Sequence, residues 1–313
     1  MTSLCVYTMP IAGDVILKEP LKFEIDDLVL QFFTQEDVLT TLLIICPLPD
    51  SEEKKMTDIG GMSVNEPRGN EIEEIVLQIG SGFSLFSSSN VEILYEDRRM
   101  QWFEGTEVSN LEVGIYDRLY RQKSGPELKQ PLFIRCVLTG CIVKKHDPSL
   151  TFYNRGASDA SASRFIEAFY NLFFFLEHLF GNGKSGENTT VDEFMKSKLL
   201  TSTIEKVKNG SSLASLVSPD FLEKIKSETI KENIRLIVKT RGNLHHPNKN
   251  RTNYWDPRKQ RYYGNETLFL QFICMEIAHR IFFHNSFTPK VERAYKKVQR
   301  CLRKEEDIVV VTR

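Results

Sequence analysis

Residues 161–180 read SASRFIEAFYNLFFFLEHLF, and the reading of this stretch decides the rest. Phe165, Ile166, Phe169, Leu172, Phe173, Leu176 and Phe180 recur at helical spacing on one face, and Phe174 and Phe175 widen the stripe. An apolar stripe of that width predicts a central, largely buried helix over about 161–180, capped by Asp159 or Ser161. Asn171 is the single polar residue in the run Ala168–Leu176. A buried amide without a partner costs about 1–3 kcal/mol, so Asn171 is expected to bond to something specific. An ordinary helix–helix hydrogen bond is the first reading, and support for a site is the second.

Downstream the chain stays helical. GNGKS at 181–185 resembles a phosphate loop, but GxxxxGK[ST] needs a glycine where His178 stands and a strand where this helix leads in. Gly181 and Gly183 therefore read as a helix C-cap and a turn. Thr190 is placed to cap a helix running to about Lys208, stopped by Asn209-Gly210. Ser218-Pro219-Asp220 opens another, with proline where its missing N–H is harmless. Residues 228–240 bring Ile230, Ile234, Ile237 and Val238 onto one face and deliver the chain to Arg241. Asn265 starts a second central helix, LFLQFICMEIAHRIFF, and an amphipathic helix spans 290–304. The tail IVVVTR has the composition of a strand that pairs with a sheet.

Upstream the pattern changes. Segments near 3–9, 14–25 and 28–33 carry β-branched and aromatic residues between turn residues, which predicts strands. Residues 37–46 (DVLTTLLIIC) read equally as strand or short helix, and 49–70 as a mobile polar loop. Ile72, Ile75, Val76, Ile79 and Phe83 predict a helix over 71–80, with Asn70 as N-cap and Gly80 and Gly82 ending or bending it. Strands are expected again at 91–96, 110–117 and 131–144, the last two parted by the turn-like 122–131. Residues 145–164 mix Pro, Gly, Ser and Asp and read as a linker. The expectation is an α+β protein. Residues 1–150 form an acidic α+β domain with a mainly antiparallel sheet, and 151–313 a basic all-α bundle.

Charge follows that division. Residues 1–155 hold 15 Lys+Arg against 24 Asp+Glu, whereas 156–313 hold 26 against 18. The basic half is the one expected to meet a polyanion. The six cysteines form no CxxC pair, so reduced thiols are expected. Cys136, Cys141 and His146 lack metal-ligand spacing and read as core. The start MTSLCVYTMPIAGD has no basic-then-apolar leader, and no apolar run nears the roughly 20 residues of a bilayer span. A soluble cytoplasmic protein that meets no membrane is expected.

The chemistry-bearing stretch is RGNLHHP at 241–247, in which Arg241 and His246 stand five residues apart. Gly242 suits a left-handed helix exit, and Pro247 keeps His246 from continuing a regular helix. Residues 248–264 follow with Lys249, Arg251, Arg258, Lys259 and Arg261 against Asp256, interleaved with Tyr254, Trp255, Tyr262 and Tyr263. Cations for phosphates beside aromatic faces for bases fit single-stranded RNA, and a structured loop packed on the bundle fits the same residues. A zinc reading of the paired histidines fails for lack of ligands nearby, and His279 and His284 are five apart, not four.

An arginine, four residues and a histidine within a compact helical bundle resemble the Rx4–6H signature of the HEPN superfamily of ribonucleases. RGNLHHPN, preceded by FYNLFFFLEHLFGNGKS, is most similar to the Apea-like and MauJ-like HEPN proteins, and the resemblance covers roughly 160–305. It implies RNA cleavage without metal or other cofactor. Arg241 would stabilise the phosphate and His246 would move the proton, with His245 the alternative to His246. Where members often place a polar residue directly after the arginine, this chain has Gly242, and Asn243 is the candidate for that orienting role. The resemblance also implies a homodimer that assembles the site from two motifs, and a role in phage defence or as a toxin. A non-catalytic HEPN-like module that binds RNA or nucleotide, or scaffolds a complex, is the alternative.

Overall fold

The structure, a computed structural model, describes residues 3–19, 21–47, 68–87, 91–104, 126–184, 186–245, 256, 258–304 and 308–310. In chain order the elements are β1 (Ser3–Ala12), β2 (Lys22–Ile25), β3 (Leu28–Gln35), β4 (Val38–Pro47), α1 (Gly69–Ser87), β5 (Glu92–Ile93), β6 (Arg99–Glu104) and α2 (Gln130–Val143). Then come α3 (Pro148–Ser161), α4 (Phe165–Phe180), α5 (Glu187–Lys196), α6 (Lys198–Lys208), α7 (Ser211–Ala214), α8 (Pro219–Ser227) and α9 (Ile230–His245). Last are α10 (Gly264–Ser286), α11 (Pro289–Lys304) and β7 (Ile308–Val310). The class is α+β, as expected. Among the described residues no helix is long and apolar enough to cross a membrane.

The chain divides into two compact units, Met1–His146 with Phe283–Arg313, and Asp147–Phe282. The expected boundary near 150 is close to the first division, but the expected all-α half loses its end. α11 buries Val291, Ala294 and Val298, and it ties to α2 through Arg135–Glu292 at 3.0 Å. β7 pairs with β2 in parallel, Phe23 opposite Ile308. The chain end thus finishes the first unit, and its charge goes with it. The second unit holds 19 Lys+Arg against 15 Asp+Glu, a balance of +4 instead of the +8 of residues 156–313.

In the first unit the strands form a sheet of order β5-β1-β4-β3-β2-β7, with β6 also on β1. Every pairing among β1 to β6 is antiparallel. β4 settles the ambiguity over 37–46. Val38–Cys46 are buried throughout because β1 and β3 flank the strand and side chains on both faces are covered. The β3–β4 turn is Glu36-Asp37, both at positive φ (51° and 65°), which matches the twist of a two-residue hairpin without its usual Asn-Gly signal. Phe23, Phe32, Phe83 and Phe133 interlock in the core, Phe32 and Phe133 with centroids 4.8 Å apart.

Three local expectations in this unit are corrected. α1 begins at Gly69 rather than after Asn70, and it passes through Gly80 and Gly82 to Ser87. Gly80 faces Ile93 of β5 inside the helix, where a Cβ would meet Ile93 N at an ordinary 3.7 Å, so it neither ends nor bends α1. The expected strand at 131–144 is α2. Its length, its Pro131 in the first turn and its left-handed exit at Lys144 (φ 48°) are helix signals that outweigh its β-branched content. Cys136 and Cys141 lie buried in that helix, and burial pushes the Cys141 thiol up to about 12. The short strand β6 had no counterpart in the sequence reading. The expected loop at 49–70 falls mostly, and the expected strand at 110–117 wholly, outside the described residues.

In the second unit, the stretch read as a linker contains α3. Asp147 Oδ1 accepts from Ser149 N at 2.9 Å, Pro148 starts the first turn, and Leu150, Tyr153, Gly156 and Ala160 are buried at helical spacing. α3 returns against α4 so closely that a Cβ on Gly156 would lie 2.7 Å from Leu172 Cγ. α4 starts at Phe165 with Arg164, not Asp159 or Ser161, at its cap. The expected helix from Thr190 to Lys208 is two helices. Gly186 precedes α5, Thr190 is buried inside it, and Ser197 caps α6 through Leu200 N at 3.2 Å. Gly181 is the C-cap of α4 and Gly183 has φ +67°, the turn expected there.

Candidate functional site

The site is built on α9. Its start is a capping box: Glu232 Oε2 accepts from Thr229 N at 2.8 Å, and Thr229 Oγ1 accepts from Glu232 N at 3.2 Å. Ile234, Ile237, Val238 and Leu244 are buried, and Asn233, fully buried, donates to Ile225 O at 3.0 Å. Arg241 lies one turn beyond Ile237 and Val238, on the edge of the buried face. Its guanidinium carbon stands 5.6 Å from the ring centroid of Phe173 on α4. Its Nε is buried and has no hydrogen-bond partner among the described residues. Arg241 makes no ion pair among the described residues either.

Tyr170 sits one turn before Phe173 on α4. Burial pushes its phenol up, and the Arg241 charge beside it pulls the other way. Neither Tyr170 nor Phe173 was singled out as a site residue, and the only available signal was their helical offset. Tyr263, next in this electrostatic chain, is buried in the short 3-10 turn 260–263, which packs on α4. Glu266 follows in the first turn of α10, and burial raises its carboxyl above the ordinary range.

The helix exit differs from the expected one. α9 continues through Gly242 to His245, Gly242 is not among the positive-φ residues, and a Cβ there would meet nothing within 4 Å. Five residues ahead of Pro247 nothing yet forces the helix to end, so Arg241 projects from regular helix and not from a backbone break. Asn243 is half-buried on the same turn. His245 is the last residue of α9, and His246 lies outside the described residues, as do Lys249, Arg251, Tyr254 and Trp255.

Of the basic segment, Arg258, Lys259 and Arg261 are described. Arg258 Nε and Nη2 donate to Asp256 at 3.0 and 2.9 Å, holding that carboxyl at about 2. Arg258 therefore arrives with its own counter-charge. Lys259 N donates to Asp256 O at 2.8 Å, Arg261 is exposed, and Tyr262 is exposed while Tyr263 is buried. The aromatic pair is split between solvent and packing.

Asn171 is bonded as anticipated. Its Nδ2 donates to Asp159 Oδ2 at 2.9 Å and to Glu167 O at 3.2 Å, and Asp159 also accepts from Arg164. The bond ties α4 to α3. Among the described residues, no group of three or more His, Cys, Asp and Glu side chains could hold a metal ion.

Searches with family models, against curated proteins and against solved structures returned no match to this chain.

Proposed function

We propose that the chain is an endoribonuclease of HEPN type that cuts single-stranded RNA by attack of the substrate's own 2′-hydroxyl. The observation that supports it is Arg241, a guanidinium with no ion pair among the described residues, held on α9 over an aromatic ring, with four residues between it and His246. In this reading His246 takes the 2′-hydroxyl proton as O2′ bonds to phosphorus, and Arg241 stabilises the charge gathering on the phosphate oxygens. The P–O5′ bond then breaks and O5′ is protonated. The products are a 2′,3′-cyclic phosphate and a 5′-hydroxyl. The nucleophile belongs to the substrate, so the step needs neither a metal-activated water nor another cofactor. His245 is the alternative acid/base, and Asn243 the orienting group. Lys249, Arg251, Tyr254, Trp255, Arg258, Lys259 and Arg261 form the RNA path. The working species is a cytoplasmic homodimer that pairs two motifs, in phage defence or a toxin system.

The aromatic surroundings of Arg241 favour one alternative, a module that binds RNA or nucleotide without cutting it. The test incubates wild type, Arg241→Ala and His246→Ala with mixed single-stranded RNAs in EDTA and maps the end groups. Cleavage lost in both variants, with cyclic phosphate ends from wild type, is the expected result. Equal cleavage by all three sinks the catalytic assignment. Binding without cleavage by wild type favours the alternative.

A further inference from the structure

The exposed side of α4 carries aromatic rings at every turn: Tyr170, Phe174 and His178 stand four residues apart. Phe174 is 37% exposed and His178 is exposed, on a helix whose other face is core. The rings touch in series. Tyr170 and Phe174 have centroids 6.4 Å apart and nearly parallel planes (29°). Phe152 of α3 adds a fourth ring, 5.8 Å from Phe174 and 6.4 Å from the His178 imidazole. Phe174 and His178 keep ring surface in water, and Tyr170 and Phe152 are half-buried beside them.

Two unpaired cations accompany the stripe. Arg155, one turn along α3 from Phe152, is exposed and has no ion pair among the described residues. Arg241 acts on Tyr170 and likewise lacks a partner there. The carboxylates on these turns are placed differently. Asp159 is taken by Arg164 and Asn171, Glu167 accepts from Gln260, and Glu177 is half-buried beside His178. Free positive charge thus borders the Tyr170–Phe174 part of the stripe.

We infer that this stripe is a stacking platform for the unpaired bases of a single-stranded RNA, whose phosphates meet Arg155 and Arg241. Aromatic faces in sequence accept successive bases whatever their identity, and guanidinium groups beside them take the backbone. The inference rests on RNA as the ligand of the Arg241 site but not on its cleavage. It also moves part of the RNA path away from 248–264, where Arg258 already has its carboxylate, onto the rigid α3–α4 pair.

The test is the affinity of a labelled short oligoadenylate, measured in a His246→Ala background so that the ligand survives. Inorganic polyphosphate serves as a comparison ligand that has charge and no bases. Stacking is worth about 1–3 kcal/mol per base, so Phe174→Leu should weaken oligoadenylate binding roughly 5- to 150-fold and leave polyphosphate unchanged. Phe152→Leu should act in the same direction. Arg155→Gln should weaken both ligands and lower the salt slope by about 0.7. Unchanged urea midpoints exclude misfolding of these variants. Oligoadenylate affinity within twofold of the parent in both ring variants overturns the inference. So does a dimer that falls to monomer in Phe174→Leu with RNA affinity retained, which would make the stripe a contact between copies. If wild type cuts no RNA and Phe174→Leu still loses oligoadenylate, the cleavage reading fails and the platform stands. Cleavage dependent on Arg241 with binding indifferent to Phe174 and Phe152 gives the converse.

Discussion

Replacing Gly156 by alanine tests the packing that positions the site. A Cβ there would lie 2.7 Å from Leu172 Cγ, 2.9 Å from Leu172 Cδ2 and 3.1 Å from Leu172 N. Carbon atoms settle at about 3.5–4.0 Å, so the added methyl must displace Leu172 by close to 1 Å. The side chain could rotate, but the backbone nitrogen can yield only if α4 moves. Overpacking of this kind costs about 1–3 kcal/mol, against a gain of about 0.5–1 kcal/mol from alanine over glycine inside a helix. The net expectation is a loss of up to about 2.5 kcal/mol. Gly242→Ala is the internal control. It is also a helical glycine, but its Cβ would meet nothing within 4 Å, so only the gain of about 0.5–1 kcal/mol remains. Urea unfolding followed by circular dichroism should move the two midpoints in opposite directions at constant slope. Leu172→Ala should then relieve Gly156→Ala, giving a double-mutant coupling above about 0.5 kcal/mol. A Gly156→Ala midpoint at or above wild type, or additivity with Leu172→Ala, refutes the close approach of α3 and α4.

Three further outcomes are expected. Glu71 is held at about 2 by hydrogen bonds from Arg68 and Lys144 against the penalty of burial. A depressed carboxyl stabilises the fold above its unfolded value of 4.5, and that contribution is lost as pH falls from 4.5 towards 2. Urea midpoints of wild type should therefore drop in that window, and those of Glu71→Gln should drop less. Glu266 has the opposite sign. Burial raises its carboxyl, so the ionised form costs stability once pH rises above 4.5. Glu266→Gln should be more stable than wild type at pH 7 and indistinguishable at pH 4, and a destabilised variant at pH 7 would contradict the assignment. Cys5 and Cys46 face each other across β1 and β4, and a thiol hydrogen bond from Cys5 draws Cys46 below its ordinary value. Directly opposed antiparallel residues have Cα atoms about 4.5–5.5 Å apart, within reach of a disulfide. Diamide, reduced to its hydrazine, should take two electrons and two protons from this pair. Non-reducing peptide mapping should find Cys5 linked to Cys46, and linkage only of other cysteines would refute the register.

The α+β class, the strands β1 and β3, most of the helices and the strand-forming tail were legible in the sequence, whereas of the strand expected over 14–25 only Lys22–Ile25 forms. Their periodicity and end signals are local, as in Ser218-Pro219 before α8. Two long apolar elements were not equally legible. The run at β4 and the run at α2 are both buried almost all round, and burial on every side erases the periodicity that separates strand from helix. The Asp147-Pro148 start of α3 was visible, but the small and polar residues after it hid a helix whose Gly156 is small because α4 lies against it. At the site, the sequence singled out Arg241 but placed it at a glycine break. The structure keeps Gly242 helical, because Arg241 follows a buried face that continues to Leu244.

The sequence by itself determined which residues carry charge and which helix delivers Arg241 to the edge of a core, since both follow from composition and a 3.6-residue repeat. Tertiary structure decided what Arg241 meets. Phe173 lies 68 positions away in the chain, and no local pattern records which ring a guanidinium will face. It also decided that the final helix and strand complete the first unit, because Arg135 and the edge of β2 are partners that only the folded chain brings within reach.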